Sequence, residues 1–375
     1  MNFDYTDDQK ALKEEARRFL TAASPLTVAR AVLENPGDGY DTALWARIVE
    51  QGWCGATIPE SYGGLGLGYV ELCALAEELG RAVAPVPFAS SIYFFAEALM
   101  LAGSEKQKSE LLPLVVSGEL IGTLAVSEGA GVLTEGRIAA KVSGGKLSGT
   151  KLPVADGMAA GHAVVLAQGE GGLSLYLVDL TAERVSREAV SNIDPTRGAA
   201  RISFDGAPAE LLGEAGKGLE TLHSIQERGA ILIAFEQLGG ADRCLEMARD
   251  YALERYAFGR PIGSYQAIKH KLADVFVKNE VARANAYYGA WALSTDAPEL
   301  PVAAAAARVA GSAAYWMAAK EMIQTYGGIG VTWEADCHFF YRRARHLGLV
   351  IGAPRDWKRR LADGLEARVN AEKAA

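Results

Sequence analysis

Arg255-Tyr-Ala-Phe-Gly-Arg-Pro-Ile-Gly-Ser-Tyr-Gln-Ala-Ile-Lys-His-Lys-Leu-Ala-Asp274 lies between two long helical patterns, residues 221–255 and Gln266–Ser294. A third pattern covers 302–326 and runs into Gln324-Thr-Tyr-Gly-Gly-Ile-Gly330, and a basic helical segment covers 338–347. Several of these exceed the usual helix length, which fits a bundle whose helices pack along their whole extent.

Upstream the period changes. Residues 120–127, 137–142, 146–148, 162–167, 173–179 and 200–205 are short, partly alternating segments separated by Gly and Asp. They predict a compact antiparallel β domain. Before it, from Thr6 to about residue 117, the pattern is helical again. Thr6 and Gln9 form a capping box, in which each side chain satisfies the other's free backbone donor. Leu12, Ala16, Phe19 and Leu20 follow at helical spacing. Further helices are predicted over 43–51, 69–80, 91–102 and 105–117. The expected organisation is α+β and mainly α: a helical domain over 1–117, a barrel-like antiparallel β domain over 118–212 and a helical bundle over 213–375.

The 375 residues exceed what a single core usually spans. The net charge of -8 and the pI near 5.4 argue against a nucleic-acid partner, while leaving room for a local basic pocket for a phosphate. The opening Met1-Asn-Phe-Asp-Tyr-Thr-Asp-Asp is acidic and lacks the apolar core of a signal peptide. The alanine-rich stretch 301–319 carries Arg308 and reads as a buried helix, not a membrane span. Cys54, Cys73, Cys244 and Cys337 are scattered, which predicts reduced thiols, no zinc site and a cytoplasmic location.

Gly63-Gly-Leu-Gly-Leu-Gly68 invites a dinucleotide reading, but helical segments flank it. A Rossmann fingerprint needs a strand before and a helix after, so that a helix N-terminus faces the pyrophosphate. A tightly packed turn is the better expectation. The five histidines show no ligand spacing, and no metal site is expected.

Four stretches, in order, resemble acyl-CoA dehydrogenases. They are Ile58-Pro-Glu-Ser-Tyr-Gly-Gly-Leu-Gly-Leu67, Gly103-Ser-Glu-Lys-Gln-Lys-Ser-Glu-Leu-Leu-Pro113, the 255–274 stretch and the 324–330 turn. The resemblance runs from residue 3 to about residue 347. It implies an N-terminal helical domain, a middle β domain, a C-terminal four-helix bundle and a tetramer. It also implies FAD at a subunit interface, with the flavin ring on one chain's β domain and the pyrophosphate and adenine held by the neighbour. The neighbour's contacts correspond to Arg255, Phe258, Gln266, Gln324, Gly327 and Gly328. Arg255 can fork onto phosphate oxygens, and the glycines let backbone N–H groups approach an anion. The family's acceptor is electron transfer flavoprotein. Its chemistry needs a carboxylate that removes the proton alpha to the thioester while a hydride leaves the beta carbon for the flavin.

That carboxylate is missing where the resemblance places it. Counting from Gly327-Gly328 puts the usual base at Ile351, and counting back from Phe258 puts the alternative at Gly229, followed by Ala230. Where the family reads T/S-E-P-x-A-G-S-D, this chain has Ser127-Glu-Gly-Ala-Gly-Val-Leu-Thr134. Where it reads W-I-T/S-N, this chain has Leu152-Pro-Val-Ala-Asp-Gly157, without the tryptophan that shields the ring. The half that serves a neighbour's FAD is intact, whereas the half that would build this chain's own site is not.

The reading that follows is a partner subunit of an α2β2 heterotetramer that completes the FAD site and lacks the base. A self-sufficient homotetramer with a relocated base is the alternative, with Glu236 and Glu227 as candidates. Glu227 sits two residues early, about 200° of helix rotation from position 229, while Glu236 is about two turns on and nearer the same face. A non-redox CoA-binding or scaffold protein is the third reading, and flavin content separates it from the others. The glycine at 229 is expected to leave room for a larger acyl group, with sterol side-chain CoA esters as the analogy.

Overall fold

The computed structural model describes residues 5–37 and 39–374; the acidic opening before Tyr5 lies outside them. The chain divides into two compact units. The first gathers residues up to 29, 69–84 and 230 onward; the second gathers 30–68 and 85–229.

The first unit is helical. Helix α1 (Asp7–Ala23) starts at the predicted capping box, with Thr6 accepting from the Gln9 amide and Gln9 returning the bond. It buries Ala16, Leu20 and Ala23 and packs on α4 (Tyr69–Arg81). A short helix, α2 (Leu26–Glu34), was not foreseen. The C-terminal helices are α7 (Gly218–Glu254), of which residues from 230 onward belong to this unit, α8 (Gln266–Ser294), α9 (Leu300–Tyr326), α10 (Cys337–Leu349) and α11 (Pro354–Ala374). The bundle therefore carries a fifth helix, α11, which packs on α9. Its sequence is mostly polar and buries little beyond Trp357, so it leaves no apolar stripe to read. Residues 301–319 are helical within α9, as expected, and Arg308 is buried there.

Two glycines set the closest approach in this unit. A Cβ at Gly239 of α7 would overlap the Glu77 carbonyl oxygen of α4, and a Cβ at Gly80 of α4 would overlap the Glu236 carbonyl oxygen of α7. The two backbones touch, so α4 and α7 cross where a larger residue cannot fit. Glu77, 2% exposed, accepts from Lys13 of α1 at 2.6 Å and from Arg283 of α8 at 3.1 Å. Burial pushes its carboxyl up, but the two cations outweigh this and hold it below the usual range. Arg283 also pairs with Asp242 of α7, whose carboxyl burial raises.

The second unit holds α3 (Thr42–Glu50), a π-helix (Ala89–Ala96), α5 (Glu97–Ala102), α6 (Glu105–Val116) and an eight-stranded sheet. The single helix predicted over 91–102 is thus a π-helix that passes into α5. The strands are β1 (Gly122–Ala125), β2 (Lys141–Ser143), β3 (Lys146–Ala155), β4 (His162–Gly169), β5 (Gly172–Asp179), β6 (Val185–Ala189), β7 (Ala199–Pro208) and β8 (Glu210–Leu212). Their order is β6-β7-β3-β2-β4-β5-β8, with β1 beside β4.

This sheet is mixed, not antiparallel: β1 runs parallel to β4, Gly122 against His162. The stretch between them contains the β2–β3 hairpin and is long enough for the crossover that a parallel pair requires. The path ends at β6 and β8 without joining them among the described residues, so the barrel-like expectation gives way to an open sheet. The glycine run 63–68 has no strand before it. A Cβ at Gly64 would overlap the Ile58 carbonyl, so it is a packed turn. All four cysteines are free and buried. No helix among the described residues is long and apolar enough to cross a membrane.

Gly239→Ala should cost about 1–3 kcal/mol of stability, because the added methyl must separate two backbones. Urea unfolding measures it; a loss below about 0.5 kcal/mol, the scale of an ordinary surface change, would contradict the crossing.

Candidate functional site

The cofactor-side residues all lie in the first unit, where α7 and α9 end. Tyr251 of α7 stacks on Tyr326 of α9 at 4.1 Å between ring centres and 13° between planes. One turn beyond Tyr251 the chain enters a small hairpin, β9 (Tyr256–Ala257) and β10 (Arg260–Pro261). Its turn consists of Phe258 and Gly259, both at positive φ, +53° and +81°. A phenylalanine in that conformation is strained, since its Cβ crowds the backbone. Yet Phe258 is 96% exposed and gains no packing within the chain.

The hairpin is braced from behind. Tyr265 donates to the Ala257 carbonyl at 3.0 Å, and the Arg260 guanidinium lies 4.0 Å over the Tyr265 ring. Beyond Tyr326, Gly327 takes φ +66°, and a Cβ at Gly327 or Gly328 would meet nothing within 4 Å. The space before both glycines is therefore open. Arg255, Gln266 and Gln324 are exposed, and their side chains make no hydrogen bond or ion pair among the described residues. Tyr256, Ile329, Val331 and Trp333 add exposed apolar surface at the same ends. An exposed arginine, two exposed amides and open glycine backbone are groups that could hold the phosphates of a dinucleotide.

The base-side residues behave differently. Ile351 is 8% exposed, and its carbonyl accepts from Trp357 Nε1 at 3.0 Å, so the usual base position is closed by packing. Gly229 belongs to the second unit. The Phe94 ring fills the space before it, with Cδ1 and Cζ each 2.9 Å from where a Cβ would stand. The expected room at Gly229 is absent. Sequence reasoning missed Phe94 because the two residues are far apart in the chain. The neighbouring Arg228 pairs with buried Glu97 at 3.6 Å.

Of the relocated-base candidates, Glu236 is 1% exposed and paired at 3.4 Å with the fully buried Arg343 of α10. That bond occupies it as a structural anchor. Glu227 is half-buried and has interactions of its own.

In the sheet unit, the two altered segments lie side by side: the Leu152 amide donates to the Ser127 carbonyl and the Gly129 amide to the Leu152 carbonyl, both at 2.8 Å. Beneath them Lys151, wholly buried, donates to Glu128 at 2.6 Å. Glu128 also accepts from the Ala139 and Ala140 amides. Burial pushes its carboxyl up, but Lys151 and the two amides outweigh it and hold it below the usual range. Burial pulls the Lys151 ammonium down, an effect Glu128 only partly offsets. Asp156, at φ +50°, accepts from Ser90 at 2.6 Å. These residues are bonded to one another, which suits a framework.

Residues 6–119 match the family description "Acyl-CoA dehydrogenase, N-terminal domain" and residues 216–354 match "Acyl-CoA dehydrogenase, C-terminal domain". The chain is 33% identical over 357 residues to acyl-CoA dehydrogenase IpdE2 of Mycobacterium tuberculosis, covering 95% of this chain and 96% of that one. Among solved structures it resembles the Tcur3481-Tcur3483 steroid ACAD, at TM-score 0.87 and 30% identity over 97% of this chain and 99% of that one. It also resembles the ChsE4-ChsE5 complex from Mycobacterium tuberculosis, at TM-score 0.87 and 26% identity over 98% and 99%. This chain belongs to the acyl-CoA dehydrogenase family, oxidoreductases that act on CH–CH groups and use FAD.

Glu128→Gln would leave the Lys151 charge buried without its counter-ion and should cost about 3 kcal/mol at pH 7. The folded Glu128 titrates below its ordinary value of 4.5, so its contribution is complete above that pH and is lost as pH falls through the folded value. The gap between wild type and Glu128→Gln in urea unfolding should therefore close in acid. A gap that shows no narrowing as pH falls progressively below the ordinary glutamate value of 4.5 would contradict this assignment.

Proposed function

We propose that this chain is the partner subunit of a heterotetrameric acyl-CoA dehydrogenase, completing the FAD site of a second subunit and supplying no base. One observation carries the reading: the two halves of the site differ in their side-chain commitments. Arg255, Gln266 and Gln324 are exposed and unbonded among the described residues, and Phe258 is strained and exposed. Both base positions are closed, one by the Ile351–Trp357 packing and one by Phe94, and Glu236 is tied to Arg343. A site with its cofactor contacts facing outward and no carboxylate inward serves another chain.

In this reading Arg255, Phe258, Gln266, Gln324 and the Gly327-Gly328 backbone would together hold the pyrophosphate and adenine of FAD, Arg255 being able to fork onto phosphate oxygens. FAD, when bound, supplies the hydride acceptor. The second subunit supplies the carboxylate and the surface under the flavin ring. The similarity to a steroid ACAD supports a bulky acyl-CoA as substrate, and electron transfer flavoprotein is the acceptor that the family resemblance implies. The three-part division at 117 and 212 and a location in the cytoplasm belong to the same proposal.

The test is to produce the chain alone and together with a dehydrogenase subunit that carries the base, measuring FAD per chain and native mass. The chain alone should be flavin-poor, and the pair should form a tetramer with about one FAD per two chains that acyl-CoA bleaches. A tetramer of this chain alone, with one flavin per chain reduced by acyl-CoA, would overturn the reading. Arg255→Ala in the pair should weaken FAD by about tenfold or more, the worth of a charge-assisted phosphate contact, with the tetramer preserved.

A further inference from the structure

We propose that Phe94 closes, within this chain, the space in which a base at position 229 would meet an acyl thioester, so that the chain holds no acyl-CoA of its own. The inference rests on the partner-subunit reading and extends it from a missing carboxylate to a missing chamber.

A side chain at 229 leaves the helix along its Cα–Cβ bond. In this chain that direction runs into the Phe94 ring, whose Cδ1 and Cζ lie 2.9 Å from the Cβ position. A carboxylate placed there, and any thioester within its reach, would have to occupy the volume the ring now fills. The seat is built from two sides. All eight residues of the π-helix Ala89–Ala96 are buried, and its two consecutive phenylalanines both meet glycines: Phe94 meets Gly229, and Phe95 meets Gly122 of β1. The wide π turn is often found at functional sites, where it redirects side chains that a regular helix would aim elsewhere. Ser90 and Ser91 of the same turn bond Asp156 and the Gly122 amide, at 2.6 and 3.2 Å, which fixes its rotation. Next to the seat, Glu97 and Arg228 are 2% and 13% exposed and pair at 3.6 Å, so the neighbouring charges neutralise each other.

An ordinary core phenylalanine shows how the alternative would look. Phe88, just before the π-helix, is also buried, but it packs edge-on against Trp45 and Tyr93. Phe88→Ala would leave a hole among core rings, whereas Phe94→Ala would clear the Cβ direction of Gly229.

The experiment counts binding sites in the assembled pair with S-butyl-CoA, a thioether that lacks the carbonyl needed for proton removal and so binds without turnover. Phe94→Ala should add one binding site per pair, and Phe88→Ala, a similar loss of packing, should add none. An unchanged count in Phe94→Ala, or an equal gain in Phe88→Ala, would overturn the proposal. Gly229→Ala gives a second readout that does not depend on the ligand. It should lower the thermal midpoint by more than about 2 °C in the wild-type background and by much less beside Phe94→Ala. Equal shifts in both backgrounds would show that the ring is not seated on Gly229. Failure of the partner-subunit reading appears separately, as one reducible flavin on each wild-type chain.

Discussion

The helical unit depends on the contact between α4 and α7, where Gly80 and Gly239 let two backbones touch. Each glycine lies against the residue that carries a buried glutamate on the other helix. Glu77 reaches Lys13 of α1 and Arg283 of α8, and Glu236 reaches Arg343 of α10. One crossing thus places two carboxylates that tie α1, α8 and α10 to the same pair of helices. Burying such charges is costly, and removing one partner of a buried pair typically loses about 3–5 kcal/mol. The network therefore fixes one arrangement of the helices, including α7, whose C-terminal end carries Arg255.

That constraint explains why Glu236 is unavailable for chemistry. A general base must exchange its proton with substrate and so needs a route to it. Glu236 is inaccessible and its partner Arg343 has no exposed surface. Just beyond α7, Arg255 is exposed and makes no side-chain hydrogen bond or ion pair among the described residues. The strained Phe258 turn is the clearest sign: a chain bears such strain where something else over-determines the geometry. Here the bracing by Tyr265 and Arg260 fixes the hairpin, while the exposed ring has no partner in its own chain.

Much of this was legible in the sequence. Helix α8 matches its predicted span, and α1 begins at its predicted cap, because 3.6-residue periodicity and capping chemistry are local. Strands β4 and β5 were found for the same reason, with alternation and turn residues adjacent in sequence. What was missed is non-local. The parallel pairing of β1 with β4 depends on a crossover, and β6 and β8 are too short and too exposed to carry a pattern. The π-helix has the composition of an α-helix. Residue identity alone shows that positions 229 and 351 carry no carboxylate, but the filling of Gly229 by Phe94 was not legible, since a glycine in sequence suggests space and only packing shows whether space remains.

The position of the flavin separates a partner subunit from a self-sufficient enzyme. Density for the assembled pair, by cryo-electron microscopy or crystallography, locates it directly. The phosphates should rest on Arg255 and the Gly327-Gly328 backbone of this chain, with the isoalloxazine ring on the sheet of the other subunit. A ring lying instead on the Ser127–Thr134 and Leu152–Gly157 segments of this chain would contradict the partner-subunit reading.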